Sequence, residues 1–189
     1  MRVLVAVLML CAIAGLSACT PESVHPLPER LRVTADERLV GTWRGSSWGN
    51  DYVAVITAGA PGTLEVELTT SVAGRGERMK SRHTLSFYDV SGMKLIVERG
   101  TSLVDRTAVY RFAAYDVAPG GAVTLRFTSD REVYYKWAGG MRIAAVVRGS
   151  DENFHDVLLT ADGEQVLAML QSQPQATMFD VTFGPFSRQ

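Results

Sequence analysis

One serine of this 189-residue chain lies in a sequence context typical of a catalytic nucleophile. Residues 45–49 read Gly-Ser-Ser-Trp-Gly and match the pattern Gly-X-Ser-X-Gly, which places a nucleophilic serine, here Ser47, on a sharp strand-to-helix turn. Chain order would allow Asp105 or Asp116, followed by His155, to complete a triad. The motif is followed, however, by another β-type run, and Gly and Ser also suit hairpin turns. We therefore predict a turn at Ser47 and no enzymatic activity, and keep a Ser47 hydrolase as the third alternative.

The histidines do not form a metal site in the sequence. His25, His83 and His155 lie far apart, and no pair has the helical spacing of a zinc protease. We therefore predict neither a metal nor another cofactor. His83 shares the strand parity of the apolar residues that follow it, so inside a barrel it could bind a ligand group. Because it follows Arg82, where the chain is expected to leave a loop, we favour a position at the rim.

Charge patterning offers one candidate surface for a partner. Arg75, Arg78, Lys80 and Arg82 crowd a short stretch in which they could bind phosphates or an acidic partner. Most such runs are solvated loops, and we favour that interpretation. The formal net charge is −1, and neither half of the chain is strongly biased. This argues against a nucleic-acid partner, because nucleic acid demands a basic face.

The candidate residues lie among short runs in which apolar and polar residues alternate, and the elements that these runs form must position them. Between residues 39 and 127 apolar and polar residues alternate with a period of two, which is typical of antiparallel strands with one face in a core and one in water. Leu95 and Val97 are expected to face the core, with Glu98 in water, and Arg111 stands between two aromatic residues. Turn residues separate the runs. The pattern predicts a mainly β fold, either an antiparallel meander barrel or a sandwich.

Two short helices are predicted late in the chain. Ser129 opens a capping box, and the helix that follows is expected to end at Gly139. Asp162 is the predicted N-cap of a second helix, which ends before Pro174. Between them, residues 141–148 are ambiguous between a strand and a helix.

Tyr134 and Tyr135 are neighbours on the first of these helices. Adjacent residues cannot both face inward on one helix, so one ring is expected to be exposed or to cover a barrel mouth. Exposed tyrosines are common in binding surfaces, which makes this pair a candidate for ligand or partner binding.

The N-terminus resembles the signal of bacterial lipoproteins. Arg2 supplies a positive charge, residues 3–13 are apolar, and Leu16-Ser17-Ala18-Cys19 resembles a lipobox. The apolar run is shorter than the about 20 residues of a transmembrane helix. The resemblance implies a signal peptide over residues 1–18, cleavage after Ala18 and lipidation of Cys19. It also implies that no free thiol remains, because Cys11 leaves with the signal peptide, so cysteine nucleophiles and thiolate metal sites are excluded.

The rest of the chain is divided into a tether and one domain. Residues 19–36 contain three prolines and little apolar periodicity, so we predict a lipidated cysteine and a flexible tether that holds the domain up to about 30 Å from the bilayer. Residues 37–189 suit a single β-barrel-like domain. Thr20 follows the cysteine where aspartate would signal retention. By resemblance to Gram-negative lipoproteins, this implies the outer membrane, facing the periplasm, with display at the cell surface left open.

Gly41-Thr42-Trp43, preceded by Leu39, resembles the Gly-X-Trp signature of lipocalins and their calycin relatives. The resemblance implies a barrel whose floor is plugged by Trp43 and whose cup holds a small apolar ligand. It covers only these residues and the number of strands. The second motif of the family, Thr-Asp-Tyr, is absent, since Tyr115-Asp116 does not match it.

These observations favour a non-enzymatic lipoprotein that binds a protein partner in the envelope, such as an assembly factor, pilotin, inhibitor or immunity protein. The alternative is a carrier of a small apolar ligand in a lipocalin-like cavity. Cavity volume distinguishes the two, because a carrier needs about 300 Å³ or more of mostly apolar space. A lumen filled by Trp43, Phe87, Phe112 and Phe127 would instead favour the partner.

Overall fold

The computed structural model describes residues 22–72, 78–102, 107–128, 144–150, 155–172 and 178–189. Within these ranges the chain is mainly β, with one short helix, α1, over Gly163–Ser172 and two 3-10 turns over Glu29–Leu31 and Glu37–Leu39. The strands are β1 Glu22–Ser23, β2 Arg32–Val33, β3 Gly41–Ser47, β4 Asn50–Ala58, β5 Thr63–Val72, β6 Arg78–Val90, β7 Met93–Thr101, β8 Ala108–Val117, β9 Val123–Phe127, β10 Ala145–Ser150, β11 His155–Leu159 and β12 Val181–Arg188.

Eight of these strands close into an antiparallel barrel. From β3 to β9 each strand pairs with the next in sequence, and β12 closes the ring by pairing with β9 and β3. Two hairpins have two-residue loops with positive φ at both positions, 50° and 73° at Trp48 and Gly49, and 54° and 88° at Ser91 and Gly92. The backbone twist of such loops matches that of the strands they join. The mainly β fold and the antiparallel meander barrel are therefore confirmed.

One apolar core lines the inside of the barrel. Alternate residues of each strand point into the lumen, as the two-residue period requires. A 3-10 turn capped by Asp36, which accepts a hydrogen bond from the backbone N–H of Arg38, places Leu39 beneath the barrel. The fully or largely buried members of this core are Leu39, Trp43, Tyr52, Leu64, Phe87, Ile96, Tyr115, Val123, Phe183 and Phe186.

A second apolar core lies on the outer face of the barrel wall. It joins β6, β7 and β8 to β11 and to α1, whose buried face carries Val166, Leu167, Met169 and Leu170. The helix begins with reciprocal capping bonds. The N–H of Gln165 donates to Asp162 at 2.9 Å, and the N–H of Asp162 donates back to the Gln165 side chain at 3.1 Å. The second predicted helix is thus confirmed. The first, with Tyr134 and Tyr135, lies outside the described residues.

The segment 22–36, assigned to a flexible tether above, is instead packed on the barrel wall. β1 pairs with β8 and β11, and β2 pairs with β6. Leu27 is only 1% exposed within the outer core, and Arg30 forms an ion pair with Glu164 of α1. The reason is that an extended, proline-rich chain can still add short edge strands and insert single apolar side chains.

Two further predictions concern residues 141–148 and the N-terminal signal. The ambiguous stretch 141–148 contains the start of strand β10. The lipobox and Cys19 lie outside the described residues. Among the residues that are described, no helix is long and apolar enough to cross a membrane.

Candidate functional site

The barrel lumen holds a cavity of about 210 Å³. Trp43 forms part of its wall with a side chain that is 3% exposed, and its Nε1–H donates to the backbone oxygen of Leu39 at 2.7 Å. The predicted burial of Trp43 is therefore confirmed. Most of the remaining wall is apolar. It includes Ala54, Ile56, Val66, Leu68, Leu85, Ile96, Val123, Leu125, Phe127, Phe183 and Phe186.

One side of this cavity is polar. His83 of β6, Glu98 of β7 and Arg111 of β8 come from three successive strands and line the lumen together. His83 Nδ1 lies 2.7 Å from Glu98 Oε1, and Arg111 Nη1 lies 3.6 Å from Glu98 Oε2. The register brings the last two together, because Glu98 is directly opposite Arg111 in the β7–β8 ladder. We call these three residues the polar wall.

Further bonds hold the polar wall in place. Arg111 Nη2 donates to Glu22 Oε1 at 2.6 Å and to the backbone oxygen of Thr101 at 3.2 Å. Glu22 is 4% exposed as a residue, so this ion pair is nearly removed from water. Gly100 leaves room for the guanidinium, since a Cβ there would lie 2.5 Å from Arg111 Nη1. Arg111 is therefore fixed before any ligand enters.

The charges of the wall act on Glu98. Burial by itself would raise the pKa of Glu98, but the hydrogen bond and charge of His83, together with the charge of Arg111, outweigh burial and leave the pKa below its ordinary value. Glu98 is consequently a carboxylate at neutral pH. It holds His83 on one oxygen and approaches Arg111 with the other.

One donor of the wall has no partner. Arg111 Nε is buried and makes no hydrogen bond to a described residue. An unpaired buried donor is costly, so the bonds of the two terminal nitrogens must hold the guanidinium in place.

Ser81 extends the polar wall towards solvent. Its Oγ lies 2.7 Å from His83 Nε2, so a hydroxyl, an imidazole and a carboxylate are joined in the order found in hydrolase triads. Ser81 stands within strand β6, however, and backbone N–H groups of a strand lie in the plane of the sheet. They do not converge on the hydroxyl as oxyanion donors must. The arrangement orients His83, and the absence of enzymatic activity stays a prediction.

The polar wall also lies where the backbone pairing of β6 with β7 ends. Within the described ranges the β6–β7 pairing runs from Val90–Met93 to Leu85–Glu98, and His83 follows just beyond the last pair. There the bond between His83 and Glu98 joins the two strands through side chains. His83 is thus inside a 13-residue strand and lines the lumen, so the predicted position at the start of a strand is wrong.

The mouth of the barrel carries Trp48. Its side chain is 49% exposed, and its ring centroid lies 5.2 Å from that of Phe183, which lines the cavity. Its φ of 50° is the value that the two-residue hairpin loop requires.

The other candidate residues do not join this site. Ser47 ends β3, and the turn leads into β4, so the strand-to-helix turn required of a nucleophile elbow is not formed. Arg78 and Arg82 stand on β6 rather than in a loop, and Arg82, with Lys80, forms ion pairs with Glu67 at 3.6 and 3.0 Å. The ion pairs reduce the free positive charge expected there. Arg75 and the side chain of His155 lie outside what the structure describes.

Sequence reasoning missed Ser81, Glu98, Arg111 and Glu22. It assigned Leu95 and Val97 to the core, which is correct, but their core is the one outside the barrel. Ile96 and Glu98 face the lumen, so β7 is buried on both faces. The sequence did indicate that these strands are buried on both faces, because residues 95–97 and 112–115 are continuous apolar runs.

No protein-family model, curated protein or solved structure matches this chain. The described residues also contain no group of three or more His, Cys, Asp or Glu side chains that could hold a metal ion.

Proposed function

We propose that this protein binds a small, mostly apolar molecule in the barrel lumen, without catalysis, and that a lipid on Cys19 holds it at the membrane. The observation that carries the proposal is a cavity of about 210 Å³ with apolar walls and one polar side. Ligand sites are typically hollows of this kind, in which a few polar groups orient the ligand. The lipocalins that Gly41-Thr42-Trp43 resembles hold their ligands in the same part of the barrel.

The volume limits the ligand. At about 210 Å³ the lumen lies below the about 300 Å³ set above for a carrier, so it is too small for a drug-sized molecule. An engineered apolar cavity of about 150 Å³ binds benzene, and scaling from it gives room for about eight or nine non-hydrogen atoms here. A ligand carried in this lumen must therefore be small.

The first interpretation from the sequence, an envelope protein partner, has less support. A filled lumen would have favoured it, and at about 210 Å³ the lumen is neither filled nor as large as the about 300 Å³ set above for a carrier. Among the described residues, the exposed large apolar side chains are Val33, Trp48 and Val55, which belong to different elements. Single exposed apolar residues are ordinary on protein surfaces. A protein partner is therefore kept as an outcome of the tests rather than as a second proposal.

The lipobox supports the membrane part of the proposal. Only Thr20 and Pro21 separate Cys19 from β1, so the lipid would lie within about 10 Å of the folded domain at ~3.3 Å per residue. This is much closer than the about 30 Å expected of a free tether. Thr20 supports the outer membrane, and a small apolar ligand could then exchange directly with the bilayer.

Occluding the lumen tests the proposal. Ala54 lines the cavity on β4, and Ala54→Leu adds three carbon atoms to it. Toluene is a suitable probe, because burying its seven carbons at ~0.8 kcal/mol each gives about 5.6 kcal/mol, so its Kd can be no tighter than about 0.1 mM once association has its cost. We expect Ala54→Leu to weaken toluene binding at least about tenfold and to stabilise the empty protein by about 2 kcal/mol.

The matched control is Val55→Leu, because Val55 is the next residue on the same strand and is exposed. It should leave the Kd within about twofold. Calorimetry with purified protein measures the affinity, and urea denaturation measures the stability. Wild-type protein that does not bind toluene saturably would refute the proposal. Specific capture of an envelope protein by the anchored form would then favour the partner.

A further inference from the structure

We propose that Ser81 is a site of covalent acylation, which takes a short acyl group from an activated ester and holds its chain in the lumen. The donor class is carboxylic esters with a stable leaving group, such as esters of phenols. The site is modified once in each molecule, so the proposal adds a reaction to the binding function without adding catalytic turnover. Its claim about the lumen rests on the proposed function, whereas its claim about Ser81 does not.

The register of the sheet places Ser81 on the lumen side of the barrel wall. Ser81 is directly opposite Leu68 in the β5–β6 ladder, and Leu68 lines the cavity. Residues opposite each other in a ladder project to the same face, and so do residues two apart on one strand. Ser81 therefore shares the inner face with His83. Ser81 is also exposed, so an ester in solution can reach its hydroxyl.

The hydrogen bonds fix the place of each proton. Glu98 is a carboxylate at neutral pH and can only accept, so Nδ1 of His83 carries the proton of the 2.7 Å bond between them. In neutral His83 the other nitrogen, Nε2, then has a free lone pair and accepts from the Ser81 hydroxyl at 2.7 Å. Ser81 thus has a base on its proton, and Glu98 orients that base, which is the arrangement that activates a serine nucleophile.

The apolar lumen begins beside this hydroxyl. Leu68, opposite Ser81, and Val66, opposite His83, both line the cavity. A chain attached to Ser81 can pass these side chains and leave water. Each further CH₂ that is buried strengthens binding by up to about fourfold, so the lumen favours esters whose acyl chain fills it.

The transfer balances without a further reactant. Ser81 Oγ forms a bond to the carbonyl carbon of the ester while its proton passes to His83 Nε2. The bond from that carbon to the phenol oxygen then breaks, and the phenol oxygen leaves with the electron pair and takes the proton from His83. The products are an ester of Ser81, a free phenol and neutral His83.

The strand explains why the acyl group is kept. β6 offers the hydroxyl no converging pair of backbone N–H groups to stabilise an oxyanion. A phenyl ester can acylate Ser81 with the help of the base alone, because its leaving group is stable. The product is an ordinary alkyl ester, whose hydrolysis needs the missing stabilisation. Acyl-Ser81 should therefore accumulate.

Four p-nitrophenyl esters, of acetate, butanoate, octanoate and dodecanoate, test the proposal with full-length protein. We expect a burst of about one equivalent of nitrophenol, with the acyl group found on Ser81 by mass spectrometry of peptides. The efficiency of labelling should rise at least about tenfold from acetate to octanoate and no further with dodecanoate, because the lumen has room for about eight or nine non-hydrogen atoms. Ala54→Leu should remove most of this rise, since Ala54 lines the cavity.

Two serine variants locate the label. Ser81→Ala should lose it, and Ser46→Ala should keep it. Ser46 is the matched control, because it is exposed and its hydroxyl donates directly to a carboxylate, that of Asp51, at 2.5 Å rather than to an imidazole. The peptide map of the wild type should likewise show far less acyl group on Ser46 than on Ser81.

Two further variants test the base and the group that orients it. His83→Gln should lower the limiting rate constant of labelling at least about 100-fold, while the half-saturating ester concentration changes by less than about threefold. Glu98→Gln should lower the same rate constant about tenfold or more, because an amide both donates and accepts and no longer fixes the proton on Nδ1. A purely structural role of Glu98 would instead change the half-saturating concentration.

The outcomes separate this proposal from the proposed function. If the wild type binds toluene and Ser81 gains no acyl group, or if Ser46 is acylated equally, the acylation site is wrong and the binding function stands. Release of nitrophenol far beyond one equivalent would contradict the accumulation of acyl-Ser81. Equal labelling of Ser81 by all four esters would refute the placement of the chain in the lumen. The wild-type series decides these points even if a variant fails to fold.

Discussion

Replacing Trp43 by alanine should remove a large part of the lumen core. The side chain is 3% exposed, belongs to the lumen core and borders the cavity. It also satisfies the backbone oxygen of Leu39 through Nε1–H at 2.7 Å. Truncation therefore removes packing and a buried hydrogen bond together, and leaves a carbonyl in apolar surroundings.

The size of the effect follows from these two losses. Truncation of a buried tryptophan to alanine costs about 3–5 kcal/mol, because the surroundings close only partly over the space. Trp43→Phe keeps a ring but loses the donor, so it should cost about 1–2 kcal/mol, the range of a buried bond lost on one side. The difference between the variants measures the packing contribution.

Urea denaturation followed by far-ultraviolet circular dichroism measures both values. Trp48→Ala is the matched control, because it removes the same side chain from a half-exposed, strained turn position and should cost less than about 1 kcal/mol. An expanded lumen should also admit larger ligands in Trp43→Ala. A cost below about 1 kcal/mol for Trp43→Ala would show that Trp43 does not hold the floor and would remove the lipocalin analogy.

Three further changes test the docked N-terminus, the polar wall and the anchor. Leu27→Ala should cost about 2–5 kcal/mol in urea denaturation, whereas Val33→Ala, at an exposed position, should change stability by less than about 0.5 kcal/mol; equal effects would contradict the packing of residues 22–36. Because the pKa of Glu98 is lowered, its carboxylate stabilises the fold above the ordinary glutamate pKa of about 4.3, and this contribution is lost as the pH falls through the lowered value. The advantage in unfolding free energy of wild type over Glu98→Gln should therefore shrink between about pH 5 and pH 3, and a constant difference would be evidence against this role of Glu98. Cys19→Ala should abolish incorporation of labelled fatty acid and release the protein from membranes, so a variant that still fractionates with membranes would contradict the lipid anchor.

Much of the barrel could be predicted from local patterns. Strands with a period of two and short turns between them identify antiparallel pairing, because both signals depend only on neighbouring residues. The helix capped by Asp162 was predictable for the same reason. The resemblance of Gly41-Thr42-Trp43 to the lipocalin signature implied that Trp43 is buried, and it is 3% exposed. The assignment of residues 19–36 to a tether failed for the described part, because composition does not show that Leu27 meets an apolar surface formed by distant strands.

By itself, the sequence determined the strands, their antiparallel order and the apolar residues that had to be buried. Only the tertiary structure decided which buried face encloses the lumen. A strand buried on one face and a strand buried on both faces differ in which distant elements cover them. From the sequence, a polar residue such as Glu98 is expected to face solvent in both kinds of strand. The polar wall required the register of β6, β7 and β8 together with the docking of β1. Those contacts join residues far apart in sequence, so no local pattern could specify them.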